Sequence, residues 1–119
     1  MSNIKESLAG LMALEGARGV ALVDSASGMM LGRDGDGLNL DVAAAGNTEV
    51  VRSMLKTIKA LGGKDTIDDM LITLTTQYHL IRPLAANPAM FLYLVLERTK
   101  GNLAMARYRL TECDAQLVV

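Results

Sequence analysis

The 119-residue sequence has little cysteine, few aromatic residues and almost no net charge. A single cysteine, Cys113, excludes an internal disulfide and fits a reducing compartment. Twelve Lys plus Arg against thirteen Asp plus Glu give a formal charge of −1, so the basic surface of a nucleic-acid-binding domain is absent. Aromatic residues make up 3% and Trp is absent, which leaves few rings for stacking on bases. We therefore expect no nucleic-acid partner.

The sequence also lacks a long apolar segment. The longest stretch without a charged residue, 83–96, is shorter than the ~20 apolar residues of a membrane-spanning helix and contains Pro88. The first residues carry no cationic leader followed by an apolar core, so no secretory signal is expected. These absences indicate a cytoplasmic protein with no membrane insertion. The length suits one domain, residues 1–119.

Apolar residues are plentiful by contrast. They make up 50% of the chain and include eight Met, which is more than a domain of this size is expected to bury alone. Some apolar surface should therefore contact another chain.

Apolar residues at helical spacing predict three helices. The first runs from Asn3, a candidate N-cap, to about Leu14, and the second runs from Val42 to Leu61 with Asp41 as its candidate cap. Asn102 caps the third helix, whose buried positions are spaced three and four residues apart. The predicted buried positions of the third helix are Leu103, Ala106, Leu110, Cys113 and Leu117.

Five short segments read as strands: 19–23, 29–33, 66–75, 78–84 and 89–96. The first and last are apolar on both faces, so they should lie side by side in the centre of a sheet, whereas 66–75 has one mixed face and should lie at an edge. The strands within each run are joined by short turns, which requires antiparallel neighbours. The order α-β-β-α-β-β-β-α therefore predicts an α/β sandwich, with the long middle helix on one face of a five-stranded antiparallel sheet and the terminal helices on the other.

The middle helix carries the candidate partner surface. If Val50, Met54, Ile58 and Leu61 face the sheet, the polar residues on the other side face outward. The alternative is that this polar side is only a solvated helix face. The outward residues are Glu49, Arg52, Ser53, Lys56 and Lys59.

The sequence contains no complete catalytic or metal-binding motif. The sequence Gly62-Gly63-Lys64-Asp65 resembles the end of a phosphate-binding loop, but Thr57 replaces its first glycine and Asp65 replaces the metal-binding hydroxyl, so a helix stop is favoured. His79 is the only histidine and has no apparent ligand or base partner, and Cys113 lies on an apolar seam. We predict no enzyme activity, no metal site and no cofactor.

Three stretches together resemble the roadblock/dynein light chain family, which includes bacterial regulators of Ras-like small GTPases. They are residues 16–24, the small-residue helix that ends in Gly62-Gly63, and residues 91–98 followed by 102–107. The resemblance covers essentially the whole chain. It implies a profilin-like or longin-like sandwich and a homodimer in which the middle helices pack together and the edge strands join the two sheets.

The resemblance also implies a function: a noncatalytic homodimeric regulator or scaffold that binds a Ras-like small GTPase, with stimulation of GTP hydrolysis known for some members. Two alternatives stay open, a dynein-light-chain-like assembly adaptor and a GAF-like sensor that holds a small ligand. The residues expected at the dimer interface are Ala44, Ala45, Thr48, Val51, Leu55, Asp69, Leu71 and Thr73.

Overall fold

A computed structural model describes residues 2–119 and has the predicted order of elements. Five strands form one antiparallel sheet in the order β2-β1-β5-β4-β3, so the predicted pairing of the first and last strands and the predicted edge position of the third strand are confirmed. The elements are α1 (Ile4–Met12), β1 (Ala17–Asp24), β2 (Met29–Asp34), α2 (Leu40–Ala60), β3 (Met70–Thr73), β4 (Gln77–Pro83), β5 (Met90–Glu97) and α3 (Leu103–Gln116).

Asparagine side chains cap all three helices. Asn3 Oδ1 accepts a hydrogen bond from the Glu6 amide at 2.8 Å, and Asn102 accepts from the Met105 amide at 3.0 Å, as the sequence predicts. The predicted cap of α2 was wrong. Asn39 caps that helix by accepting from the Val42 amide at 3.1 Å, which moves its start two residues towards the N-terminus. Asp41 lies inside the first turn instead.

The sheet separates two apolar cores. Strand residues alternate between faces, so Val20 and Leu22 of β1 pack under α1 and α3, while Ala21 and Val23 pack under α2. All four side chains are fully buried. The predicted sandwich, with the middle helix on one face and the terminal helices on the other, is confirmed.

Strand β3 is shorter than predicted. It covers Met70–Thr73 rather than residues 66–75, and its ladder with β4 begins where Met70 pairs with Ile81. Continuing this register would set residue 68 opposite Pro83, which has no amide hydrogen to donate. The Asp69 carboxylate instead accepts from the Arg107 guanidinium of α3 at 3.1 Å. Residues 66–69 therefore run outside the ladder.

The buried face of α2 also differs from the predicted one. Val50 is 38% exposed and Leu61 is 74% exposed, whereas Val51 is completely buried. Small side chains cause the difference, because Ala44 and Thr48 allow the helix to lie close to the sheet, and the Thr48 hydroxyl is satisfied by the Ala44 carbonyl at 2.7 Å. The residues that α2 buries are Leu40, Ala44, Asn47, Thr48 and Val51.

The two ends of the described chain lie side by side. Ser2 and Leu117 form a parallel β-bridge, in which the Ser2 amide donates to the Gln116 carbonyl at 2.8 Å and the Val118 amide donates to the Ser2 carbonyl at 2.9 Å. This bridge joins the start of α1 to the end of α3.

Candidate partner-binding site

Two contacts define the two sides of α2. On one side, the Arg52 guanidinium donates to the carbonyls of Ser25 at 2.6 Å and Ala26 at 3.0 Å, in the turn between β1 and β2. On the other side, the Asn47 side chain reaches the Tyr93 hydroxyl on β5. The Asn47 side of the helix therefore borders the half of the sheet that contains β4 and β3.

This half of the sheet is flanked by exposed apolar side chains. Val50 and Met54 follow Asn47 by three and seven residues and share its side of the helix. On β3, Met70 packs into the core under α2, so Ile72 and Leu74 project to the same side. The α2–β3 face comprises Val50 (38% exposed), the partly buried Met54 and Leu61 (74%) on the helix, with Ile72 (36%) and Leu74 (42%) on the strand side.

Strand β3 adds an open edge to this face. It pairs with β4 on one side and ends the sheet on the other, so its outer backbone amides and carbonyls have no strand partner among residues 2–119. An edge with apolar neighbours tends to pair with another strand. The edge and the α2–β3 face are both suited to association.

Three residues predicted at the dimer interface lie elsewhere. Ala44, Thr48 and Val51 are buried under α2 against its own sheet, so they are not accessible to a second chain, and the prediction is wrong for them. Leu55 and Leu71 are partly buried against the two cores. The three remaining predicted residues are the exposed Ala45 and Thr73 and the partly buried Asp69, which is paired with Arg107.

The predicted interface residues do not include the five residues of the α2–β3 face, although Ile72 and Leu74 belong to the predicted edge strand 66–75. The signal was present, because the middle helix carries two apolar stripes and only one of them can face the sheet. The stripe with larger side chains was assigned to the core, whereas the structure buries the stripe with smaller ones.

The predicted partner-binding residues divide into two groups. Arg52 is held by the β1–β2 turn and forms an ion pair with Glu49 at 3.2 Å, so this pair already has partners within the chain. Ser53, Lys56 and Lys59 are exposed. All five predicted residues are exposed, but Glu49 and Arg52 are paired with each other, and we call the other three the α2 polar surface.

His79 lies on β4, on the α2 side of the sheet. Its Nδ1 is 2.8 Å from the Tyr93 hydroxyl, and its Nε2 is 3.0 Å from Gln77 Oε1. Burial lowers the pKa of His79 and raises the pKa of Tyr93, so both are neutral at pH 7. The ring belongs to a hydrogen-bonded group inside the fold.

A cleft of about 300 Å³ lies beyond the end of the sheet, between the second half of α2 and the segment that connects it to β3. Its apolar wall includes Leu55, Ile58 and Ile67, and its polar residues include Lys59 and Asp65. This volume is at the lower limit of small-molecule sites. Beneath α2 itself the core is filled.

The chemistry of the described residues is otherwise sparse. Across residues 2–119, no three His, Cys, Asp or Glu side chains come together in a group that would hold a metal ion. Burial raises the pKa of the Cys113 thiol, which disfavours the reactive thiolate. In the same range, no helix has both the length and the apolar character required to cross a membrane.

The element order, strand order and two-layer packing define the class of fold: a five-stranded antiparallel sheet between one long helix and two terminal helices. No family model and no curated protein sequence matches the chain. Solved structures match it closely in shape, and they carry the fold of roadblock/LC7 domains. The chain has that fold, as the sequence resemblance predicts.

Three of these structures illustrate the similarity. A Roadblock/LC7 domain from Streptomyces avermitilis superposes with a TM-score of 0.78 at 14% identity, covering 96% of this chain and 93% of that one. MglB of Myxococcus xanthus gives 0.78 at 16% identity, covering 94% and 91%. The gliding protein MglB of Thermus thermophilus gives 0.77 at 17% identity, covering 92% and 82%.

Proposed function

We propose that this chain is a noncatalytic, cytoplasmic homodimeric module that binds and regulates a Ras-like small GTPase. The observation that carries the proposal is the exposed α2–β3 face on a roadblock-type fold. Such a surface is costly to leave in water, because full burial of a large apolar side chain contributes about 1.5–3 kcal/mol, and covering the part of each side chain that is still exposed contributes a corresponding fraction. A second copy is the occupant that the open edge of β3 favours.

In the proposed dimer, the α2–β3 faces of two copies cover each other and the β3 edges pair. Backbone pairing would then satisfy the outer amides and carbonyls of this strand. A stable interface of this kind needs about 800 Å² from each copy. The five apolar side chains of the α2–β3 face would lie at the centre of this area.

The GTPase would bind where the two α2 helices lie together. Dimerisation brings two α2 polar surfaces near each other, and a doubled polar surface is larger than either helix offers alone. The α2 polar surface excludes Arg52, whose guanidinium holds the β1–β2 turn. Regulation of the GTPase is what the resemblance to bacterial roadblock proteins implies.

The dimer is tested by introducing a charge into the α2–β3 face. Ile72→Asp should give a species of 12.7 kDa at micromolar concentration, whereas the unsubstituted chain should have twice that mass by light scattering. Leu31→Asp is the matched control, because Leu31 is 39% exposed on the opposite edge strand β2 and Ile72 is 36% exposed. If the unsubstituted chain is monomeric, or if both variants dissociate alike, the proposed dimer is wrong.

GTPase binding is tested by reversing charge on the α2 polar surface. Lys56→Glu combined with Lys59→Glu should weaken binding to a Ras-like GTPase encoded in the same genome by about fivefold or more, which corresponds to about 1 kcal/mol. Lys5→Glu, on the exposed side of α1, should leave affinity unchanged. Light scattering of each variant checks that the dimer persists. An unchanged affinity for the double variant would remove the α2 polar surface from the proposal.

A small-ligand sensor is the second candidate, and the cleft beside Leu55 and Ile67 favours it. Native mass spectrometry of protein purified under mild conditions distinguishes the two functions. A bound molecule of constant mass that is lost on Ile58→Trp, which would fill the cleft, supports the sensor. Protein of the sequence mass alone, with GTPase binding intact, supports the regulator.

A further inference from the structure

His79 is partly buried on the α2 side of the sheet, next to the edge strand β3. In the strand register it stands directly opposite Ile72 of β3 on one side and Val95 of β5 on the other. Side chains at paired positions lie about 5 Å apart on the same face of a sheet, so the ring adjoins the α2–β3 face. In the proposed dimer, a second copy would cover it.

The hydrogen bonds of the ring favour its neutral form. Gln77 Oε1 only accepts, so the bond at Nε2 assigns the ring proton to that nitrogen. Nδ1 then has a free lone pair and accepts the Tyr93 hydroxyl hydrogen at 2.8 Å. A second ring proton on Nδ1 would have to point at that hydroxyl and turn its hydrogen towards Asn47. Protonation therefore reverses the bond between His79 and Tyr93 and leaves the bond to Gln77 in place.

No neighbouring charge compensates a protonated ring. From β3 the ring faces Ile72, and from β5 it faces Val95 and Tyr93, whose hydroxyl stays neutral because burial raises its pKa. From α2 the nearest polar side chain is Asn47, which is uncharged. The carboxylate of Glu97 is two pairing positions away along the sheet, and it lies 3.8 Å from the Lys100 ammonium.

We propose that protonation of His79 opposes association of two copies through the α2–β3 face, so that mild acid dissociates the dimer. This inference rests on the proposed homodimer. Covering the face removes water from around the ring, and water is what supports the charged form in the free chain. Association therefore expels the proton, and by linkage the dimer is strong above the pKa of His79 in the free chain, which burial already holds below the usual histidine value, and it weakens as the pH falls through that pKa.

The first measurement uses the fact that the chain has one histidine. A proton NMR titration then contains a single imidazole signal to follow. The pKa of His79 should be lower in the unsubstituted dimer than in a monomeric Ile72→Asn variant, which places a polar but uncharged side chain opposite the ring and whose mass is checked by light scattering. Equal values in the two samples would overturn the proposal, because pairing would then have no effect on the proton.

The second measurement is the dimer dissociation constant by sedimentation between pH 8 and pH 5.5. Each unit by which pairing lowers the pKa of one ring allows up to about a tenfold weakening per copy at low pH, and we expect an increase of at least about fivefold at pH 5.5. His79→Gln, which keeps an uncharged amide at the site, should show a flat profile.

The outcomes separate this inference from the function it rests on. If the chain is a dimer whose dissociation constant does not change with pH, the effect of the proton is overturned and the proposed homodimer is supported. An equal acid response in His79→Gln assigns the effect to carboxylates and also overturns it. A chain that is monomeric throughout overturns both proposals.

Discussion

The orientation of α2 can be tested with two neighbouring valines. Val51 is completely buried under the helix and Val50 is 38% exposed on its outer side. Val51→Ala removes two methyl groups from a filled core, which costs about 0.8 kcal/mol each in transfer free energy plus a term for the cavity. We expect a loss of about 2–3 kcal/mol in the free energy of unfolding. Val50→Ala should cost about 1 kcal/mol or less, since part of its side chain already contacts water.

Urea denaturation at several protein concentrations measures both effects. A core contribution does not depend on concentration, whereas a contribution through association grows with it. The loss for Val51→Ala should therefore be constant, and any loss for Val50→Ala should increase as the protein concentration rises. If Val50→Ala is the more destabilising variant at high dilution, the helix is rotated from the orientation described here and the α2–β3 face does not exist.

Three further outcomes follow from the contacts of single residues. Arg52→Ala should cost about 1 kcal/mol, because the guanidinium is half-exposed, and should speed amide exchange at Gly28 in the β1–β2 turn. Gly35→Ala should lower the free energy of unfolding by about 1–3 kcal/mol in thermal denaturation, because Gly35 has φ +87° and an added Cβ would lie 2.7 Å from the Arg18 carbonyl oxygen. Gly10→Ala is the control: this position on α1 has open space around it, and the substitution should raise the free energy of unfolding by about 0.5–1 kcal/mol. Asp114→Ala should lower the free energy of unfolding by about 3–5 kcal/mol. The Asp114 carboxylate lies 2.9 Å from the Arg82 guanidinium, which is largely buried and would be left without this partner. Replacing both residues with Leu should cost less, because no buried charge remains.

Local signals in the sequence predicted the architecture well. The caps Asn3 and Asn102 bind amides within one helical turn, so residues that are close in sequence are enough to predict them. The central position of the strands around Val20 and Leu94 was predictable because both faces of each strand are apolar. Together with the short turns, these signals determine the order and the layers of the sandwich.

The candidate site was less predictable, because its residues are defined by contacts between distant segments. The extent of β3 depends on Pro83, which belongs to another strand and withholds an amide hydrogen from the ladder. The role of Arg52 depends on carbonyls 26 and 27 residues away. The face that α2 buries depends on how closely a helix with Ala44 and Thr48 approaches the sheet, and hydropathy alone favours the bulkier stripe.

The β-bridge between Ser2 and Leu117 has a practical consequence. Because this bridge brings the two ends together on the α1 and α3 side of the sheet, a short glycine-rich linker would close the chain into a ring with little distortion. New ends opened at the exposed Gly62-Gly63 would give a circular permutant that keeps every strand pairing. Fluorophores or surface anchors attached beside the Ser2–Leu117 bridge would likewise project away from α2, which leaves the opposite side of the molecule free for partners in single-molecule experiments.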